Sequence, residues 1–454
     1  MFHKILVANR GEIAVRIIRS CMYMGIKTVA IYSEADQESL HVQLADEAVC
    51  IGPSKSKDSY LNMENIITAA INYGAEAIHP GFGFLSENPQ FAELCETVGI
   101  HFIGPKSQII ALMGNKSKAR ETMIEAGVPV VPGSTGKVNS AKEGLKLTKD
   151  IGYPILIKAS AGGGGRGMRI SYSEDDFEHA FDTASSEALN AFGDGTMYLE
   201  KYIENPKHIE FQMLCDKYNQ VLHLGERDCS LQRRNQKVIE EAPSMISESL
   251  RNEMAEAAIK ACRHVQYENA GTIEFLVSND TFYFIEMNTR IQVEHPVTEM
   301  ITGIDIISEQ IKIAAGEKLS YQQEDIHFHG HSIECRLNAE NPKINFQPSP
   351  GQVTFLHVPN GPGVRFDSFI YQGIKIQPFY DSMIGKLIVH GKNRDEAIKK
   401  MQAALEELIV KGFSTNQSFL YLLIHHLEYI KGNFNTSFIE RFKEALLEYP
   451  NECN

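Results

Sequence analysis

The sequence predicts a chain of mixed α/β and α+β architecture in three parts, on three observations. Short apolar strands alternate with amphipathic helices over roughly the first 110 residues, the pattern of a parallel sheet. A stretch rich in proline and glycine, Val128 to Gly136 (VPVVPGSTG), then ends a helix expected over Ser117 to Ala126 and opens a region where strands and helices mix. From about residue 330, Pro342, Pro348, Pro350, Pro359 and Pro362 punctuate a strand-rich third region. With 454 residues and 43% hydrophobic content, the chain has room for three domains of ordinary size.

Lys4 to Ala8 (KILVA) reads as a strand. It is followed by a helix with apolar Ile13, Ile17, Ile18, Cys21 and Met22, then by a strand at Lys27 to Tyr32, which together make a βαβ unit. Strands at Ala75 to Ile78 and His101 to Ile103 alternate with helices around Leu61 to Tyr73 and Gln90 to Val98. The first loop reads Asn9-Arg-Gly-Glu12 and not G-x-G-x-x-G, so a dinucleotide site is allowed by topology but unsupported by residues. Glu248 to Val265 and Asp305 to Ala315 are the clearest helices of the middle region. Arg394 to Val410 is amphipathic through Ala397, Met401, Leu405, Leu408 and Ile409 and ends at Gly412.

The net charge of −14 argues against nucleic acid or an anionic membrane as partner, since both demand a basic surface. There is no run of 18 apolar residues, and Met1 leads straight into a strand without signal-peptide architecture, so a cytoplasmic protein is expected. Eight cysteines without a CxxC pair read as small buried residues, not as zinc ligands or a disulfide framework.

The richest chemistry lies in Glu286 to Pro296 (EMNTRIQVEHP), where Glu286, Asn288, Arg290, Gln292 and Glu294 occupy every second position. Thr281 to Ile285 (TFYFI) has strand composition, which puts Glu286 at a strand's carboxyl end, and residues two apart on a strand share a face. Glu286 and Asn288 are therefore placed to share one metal ion. Glu294 would lie about 26 Å from Glu286 if the run stayed extended, so either the chain curls after Asn288 or the site is elongated.

A second motif is a glycine-rich hairpin, with strand Ile155 to Lys158, loop Ala161 to Gly167 (AGGGGRG) and returning strand Met168 to Tyr172. Consecutive glycines let backbone N–H groups approach phosphate. The loop lacks the Lys-Ser/Thr of a Walker A motif, and a plain flexible hairpin is the alternative, but Lys158 and Arg166 favour a nucleotide. Lys116, Lys201, His208 and Lys237 add cations, and Lys201 lies in an alternating strand, Tyr198 to Ile203. Glu274 in Gly271 to Leu276 (GTIEFL) is, like Glu286, a lone acid in an apolar strand; paired side by side, the two would offer hard oxygen ligands to magnesium.

Glycine hairpin, lysines and the Glu plus Glu-x-Asn set together resemble the ATP-grasp family, and within it biotin carboxylase much more closely. The motifs that carry the likeness are ANRGE (8–12), HPGFGFLSEN (79–88), Lys158 to Met168, ERDCSLQRRNQK (226–237), EMNTRIQVEHP (286–296), ECRLN (334–338) and YDSMIGKL (380–387). The resemblance implies a Rossmann-like domain over 1–113, an ATP-grasp domain over 114–330 with a lid at about 131–203, and a mixed α/β carboxyl-terminal domain over 331–450.

It further implies that Lys116, Lys158, Gly164, Gly165, Glu200, Lys201, Ile203, His208, Gln232, Asn235 and Leu276 hold ATP. Glu274, Glu286 and Asn288 would ligate magnesium or manganese. Lys237, Arg290, Gln292 and Val293 would bind bicarbonate, a planar oxyanion suited to a guanidinium fork. Glu294 would be the base that takes the bicarbonate proton, and Arg336, with Phe82 and Gly83 nearby, would face biotin, with Lys237 and Arg290 completing the catalytic set. Phe82 stands where relatives often carry Tyr, and Asn235 where some carry His. Cys229 is read as a packing residue.

The reaction implied is ATP-dependent carboxylation of biotin with bicarbonate, the first half-reaction of acetyl-CoA carboxylase in fatty acid synthesis. No Met-Lys-Met segment of the kind that bears biotin is found, so biotin is expected on a separate carrier protein, with carboxyltransferase subunits as further partners and a homodimer as the assembly. A different acyl-CoA carboxylase, another ATP-grasp ligase, or a non-catalytic nucleotide-binding regulator are the competing readings. Arg290-x-Gln292-Val293-Glu294 with Arg336 argues against the last two.

Overall fold

Alternating β-branched runs and helices fold into a parallel sheet at the start of the chain. The computed structural model describes residues 1–134, 136–159 and 167–447. Five strands run in the order Glu47–Cys50, Lys27–Tyr32, Lys4–Val7, Ala77–His79, His101–Phe102, all neighbours parallel. Successive side chains point to opposite faces, so Ile5 and Val7 pack with Ile13, Ile17 and Ile18 of helix Gly11–Tyr23, while Leu6 packs with Val29, Ile31 and Ile78 on the other side. Met22, read with that helix's apolar face, is exposed instead. The Asn62 and Asn88 side chains accept from the N–H groups of Asn65 and Phe91 and start helices Met63–Asn72 and Pro89–Thr97.

The second and third regions share one antiparallel sheet of eight strands. Its order is Thr281–Asn288, Asn269–Ser278, Lys207–Cys215, Val221–Arg233, Gln236–Ala242, His331–Asn338, Met383–Gly391, Val364–Ser368. Ile239 pairs with Cys335 and Glu240 with Glu334, so the sheet runs without a break across residue 330. The prolines fall outside the last three strands, which keep their N–H donors for the ladder.

Ile155–Ala159 pairs antiparallel with both Met168–Ser171 and Met197–Lys201, and helices Ala141–Ile151 and Glu174–Phe192 close a small core of Ile155, Ile157, Phe177, Phe181, Met197 and Leu199. The glycine run between the first two strands, with Gly164, Gly165 and Arg166, lies outside the described residues. Helix Arg394–Glu407 stops before the expected Val410, because Ile409 and Val410 are β-branched and pair with Phe355–His357 as a short strand. Cys21, Cys95, Cys215, Cys229, Cys262 and Cys335 are buried, whereas Cys50 is exposed, contrary to the reading of all cysteines as buried; Cys453 lies outside the described residues. Among the described residues no helix is long and apolar enough to cross a membrane.

Candidate active site

Strand alternation builds one polar face on the large sheet. His208, Glu210 and Gln212 project from Lys207–Cys215 on one side, while Ile209, Phe211 and Met213 enter the core on the other. Register sets Glu274 opposite Glu210 and Glu286 opposite Glu274, giving three carboxylates in a row, with Asn288 opposite Thr272. Lys237, from Gln236–Ala242, reaches across them. Its Nζ donates to Glu210 Oε2 at 2.6 Å, Glu274 Oε1 at 2.9 Å and Glu294 Oε1 at 2.6 Å.

Those three bonds settle how the Glu286–Glu294 run is arranged. The strand ends at Asn288 and the chain turns, so that Glu294 occupies the cap position of helix His295–Thr302. A single ammonium touches both Glu274 and Glu294, so the run curls and the alternative of an elongated site is set aside. Asn288 Nδ2 and Gln292 Nε2 both donate to Glu274 Oε1, at 2.8 Å and 2.7 Å, and Arg290 Nη2 donates to Asn288 Oδ1 at 2.9 Å. Arg336 Nη2 donates to Glu294 Oε2 at 2.9 Å and its Nε to Glu240 Oε1 at 2.6 Å. Glu294, 2% exposed, thus lies between two cations.

Burial opposes charge on every one of these groups, and the outcome depends on the partners. For Glu294 burial is outweighed by Lys237, Arg336 and Arg227, and the carboxyl is held below its usual range. Glu274 is held well below it, against burial, chiefly by Lys237 and His208. His208 moves up to about 9, because Glu274 and Glu210 outweigh its desolvation. Glu286 goes the other way: burial and then the charge of Glu274 raise it, against the opposing pull of Lys116 and Lys237. Burial, followed by the Glu210 charge, raises the Cys229 thiol well above its usual value, which fits an inert packing residue.

Glu274, Glu286 and Asn288 offer hard oxygen donors on adjacent strands, and the Glu286 carboxyl, raised by burial and by the charge of Glu274, marks the end of the row that lacks positive charge. A divalent cation fits that donor set.

The remaining predicted residues are more dispersed. Gln232 Nε2 lies 3.0 Å from His208 Nδ1, and Leu276 is paired with His208 across the ladder. Lys116 opens helix Lys116–Glu125 within electrostatic reach of Glu286. Lys158 is ion-paired with Glu200, and Lys201 Nζ donates to the carbonyls of Gly152 and Tyr153. Lys201 and Ile203 border a cleft of about 1110 Å³ that Lys237, Glu274 and Glu294 do not line. Arg234 and Asn235, with φ of 51° and 63°, form the tight turn between Val221–Arg233 and Gln236–Ala242, a conformation Asn tolerates well. Phe82 and Gly83 sit on the loop after Ala77–His79, which Asn9 Nδ2 ties down through the carbonyls of Pro80 and Phe82. Gly81 there has φ of 62°, and a Cβ would meet Asn9 Nδ2 at 3.0 Å. The same loop reaches the cluster through Glu87, whose carboxylate accepts from Arg290 Nε at 2.9 Å and the Thr289 N–H at 3.1 Å.

Sequence reasoning missed Glu210, Glu240, Glu87 and the role of Arg227. Glu210 was open to detection, since His208, Glu210 and Gln212 alternate with apolar residues. Arg227, fully buried, donates to Glu210 at 2.6 Å, Gln212 at 2.8 Å, Thr298 at 3.1 Å, Thr272 at 3.2 Å and Gln292 at 2.6 Å. Removing it deprives Glu210 Oε1 and the Gln212 and Gln292 oxygens of a buried donor while Lys237 still pairs Glu210, so Arg227→Met is expected to lower stability by about 1–3 kcal/mol, read as a shift of the denaturant midpoint.

Comparison with known proteins places the chain in a family. Family models match along the chain: "Biotin carboxylase, N-terminal domain" at residues 1–110, "Carbamoyl-phosphate synthase L chain, ATP binding domain" at 115–322 and "Biotin carboxylase C-terminal domain" at 334–441. The chain is 54% identical to Biotin carboxylase 1 of Bacillus subtilis over 97% of its own length and 99% of the relative's. It is 52% identical to a pyruvate carboxylase subunit of Methanothermobacter thermautotrophicus over 98% and 91%. Among solved structures, the biotin carboxylase domain dimer of Hydrogenobacter thermophilus 2-oxoglutarate carboxylase, in complex with MgADP, ADP and bicarbonate, superposes with a TM-score of 0.92 at 51% identity, covering 99% of this chain and all of that one. The chain belongs to the biotin carboxylase family, ATP-grasp ligases that carboxylate biotin with MgATP and bicarbonate.

Proposed function

We propose that this chain is the biotin carboxylase subunit of an acetyl-CoA carboxylase, acting as a cytoplasmic homodimer that carboxylates the biotin borne by a separate carrier protein, for use by carboxyltransferase subunits. The observation that carries the reading is Glu294 held between Lys237 and Arg336, one cation on each carboxylate oxygen. Lys237, Arg290, Gln292 and the Val293 backbone bind bicarbonate beside it. As the anion enters, Lys237 exchanges part of its bonding to Glu294 for the substrate's oxygens. The Glu294 carboxyl then rises from its depressed range and accepts the bicarbonate proton.

The deprotonated bicarbonate attacks the γ-phosphoryl group of ATP. Lys116, Lys158, Gly164, Gly165, Glu200, Lys201, Ile203, His208, Gln232, Asn235 and Leu276 hold the nucleotide. Magnesium bound by Glu274, Glu286 and Asn288 supplies charge neutralisation on the phosphate oxygens. Carboxyphosphate breaks down to CO2 and phosphate, phosphate takes the biotin N1 proton, and Arg336, with Phe82 and Gly83 nearby, stabilises the enolate that captures CO2. Residues 131–203 form the lid of a 114–330 ATP-grasp unit that lies between domains at 1–113 and 331–450. Support for the lid comes from its separate three-stranded sheet and core.

The 52% identity to a pyruvate carboxylase subunit favours one second reading, in which the same half-reaction serves another biotin-dependent carboxylase. For either, ATP cleavage is expected to require bicarbonate and to rise on addition of free biotin at high concentration. ATP cleavage indifferent to both compounds would overturn the proposal.

A further inference from the structure

Two sequence motifs that the reaction leaves without a role, ANRGE and YDSMIGKL, meet beside the Arg336-bearing ECRLN behind the turn that carries Glu294. Lys386, in strand Met383–Gly391, is fully buried, and its Nζ donates to the Val293 carbonyl at 2.6 Å. Its counter-ion is Glu12, in the first turn of helix Gly11–Tyr23, with Oε1 3.3 Å from the ammonium and both oxygens otherwise without a hydrogen-bond partner. Lys386 is also the cross-strand partner of Arg336. The Gln292 carbonyl of the turn lies 2.8 Å from His295 Nδ1, and the Ile291 carbonyl accepts from Arg290 Nη1 at 3.1 Å.

A buried ammonium is costly unless it is paired and bonded, so this one settles where both conditions hold. The Val293 carbonyl belongs to the same peptide unit as the Glu294 N–H. Holding that oxygen fixes the plane of the peptide, and with it the origin of the Glu294 side chain and the neighbouring Val293 N–H. We propose that Lys386, anchored by Glu12, is a positioning residue that sets the Val293–Glu294 peptide for bicarbonate binding and proton acceptance. The three regions of the chain thereby converge on one carbonyl: Glu12 from the first, Val293 from the second and Lys386 from the third. The inference rests on the bicarbonate reading of Val293 and Glu294 given above.

The test compares wild type with the double variant Lys386→Met/Glu12→Gln, which removes both buried charges together and leaves neither alone. Bicarbonate-dependent ATP cleavage and MgADP affinity are measured on the full chain. A misplacement of about 1 Å costs on the order of 10²-fold, so kcat is expected to fall by about that factor and the bicarbonate KM to rise about tenfold or more, with MgADP affinity within about threefold of wild type. A folded double variant with unchanged bicarbonate KM, or one that loses MgADP affinity in the same proportion, would overturn the role. If the double variant does not fold, isosteric Glu12→Gln alone loosens the ammonium and should raise the bicarbonate KM about two- to fivefold at unchanged MgADP affinity, whereas no change would overturn it. Wild-type ATP cleavage that ignores bicarbonate would instead defeat the underlying functional reading, so the two failures are distinct.

Discussion

Glu294→Gln is expected to lower bicarbonate-dependent ATP cleavage by about 10²–10⁴-fold, the range that general base catalysis supplies. The amide keeps the shape of the side chain and its one oxygen can still accept from Lys237 or Arg336, but it cannot take a proton. MgADP affinity should stay near that of wild type, because the ion pairs of Glu294 are with Lys237 and Arg336 and not with the residues assigned to the nucleotide. Steady-state phosphate release with and without bicarbonate reads the effect directly. The acid side of the pH profile follows from the sign of the shift. The folded carboxyl lies below its ordinary value of 4.5, so its contribution to stability is present above the unfolded pKa and is lost as pH falls through the folded one. In the free protein Glu294 is therefore ionised throughout the neutral range, and the wild-type kcat/KM should show no acid limb from this group above about pH 5.

Arg336→Ala should separate the two half-steps. Formation of carboxybiotin is expected to fall about 10²–10³-fold, the loss seen when one donor to a developing oxyanion is removed. Bicarbonate-dependent ATP cleavage should fall far less, within about tenfold, for a reason visible in the electrostatics. Without Arg336, Glu294 keeps Lys237 but loses one cation, so its carboxyl rises and becomes the stronger base. Glu240 is already at about 7, raised by burial against the pull of Arg336, and takes up a proton once the guanidinium is gone, so no uncompensated charge is left. Assaying ADP and carboxybiotin on the same samples checks the split, and equal loss of both would contradict the role given to Arg336.

The parts of this site that were legible in the sequence are those governed by local periodicity. Glu286 and Asn288 share a face because a strand alternates, and Glu274 meets Glu286 because two apolar strands of similar composition pair. The approach of Glu294 to Glu274 was not legible, since it depends on a turn after Asn288 that apolar spacing does not encode. Arg227 shows the same limit more sharply. It lies inside a motif the sequence displays, yet its partners stand 15 to 71 residues away and become visible only when three strands, a turn and a helix are assembled. The continuous sheet across residue 330 was hidden for a different reason: prolines cluster in the connections, and their density masks three proline-free strands that complete the central sheet.

One site is expected both to activate bicarbonate with ATP and to transfer the resulting carboxyl group to biotin. Incubating the chain with MgATP, carbon-labelled bicarbonate and free biotin tests this most directly. Label should appear on biotin as an acid-labile adduct, dependent on ATP and abolished in Glu294→Gln. ADP formation with no label on biotin would contradict the account.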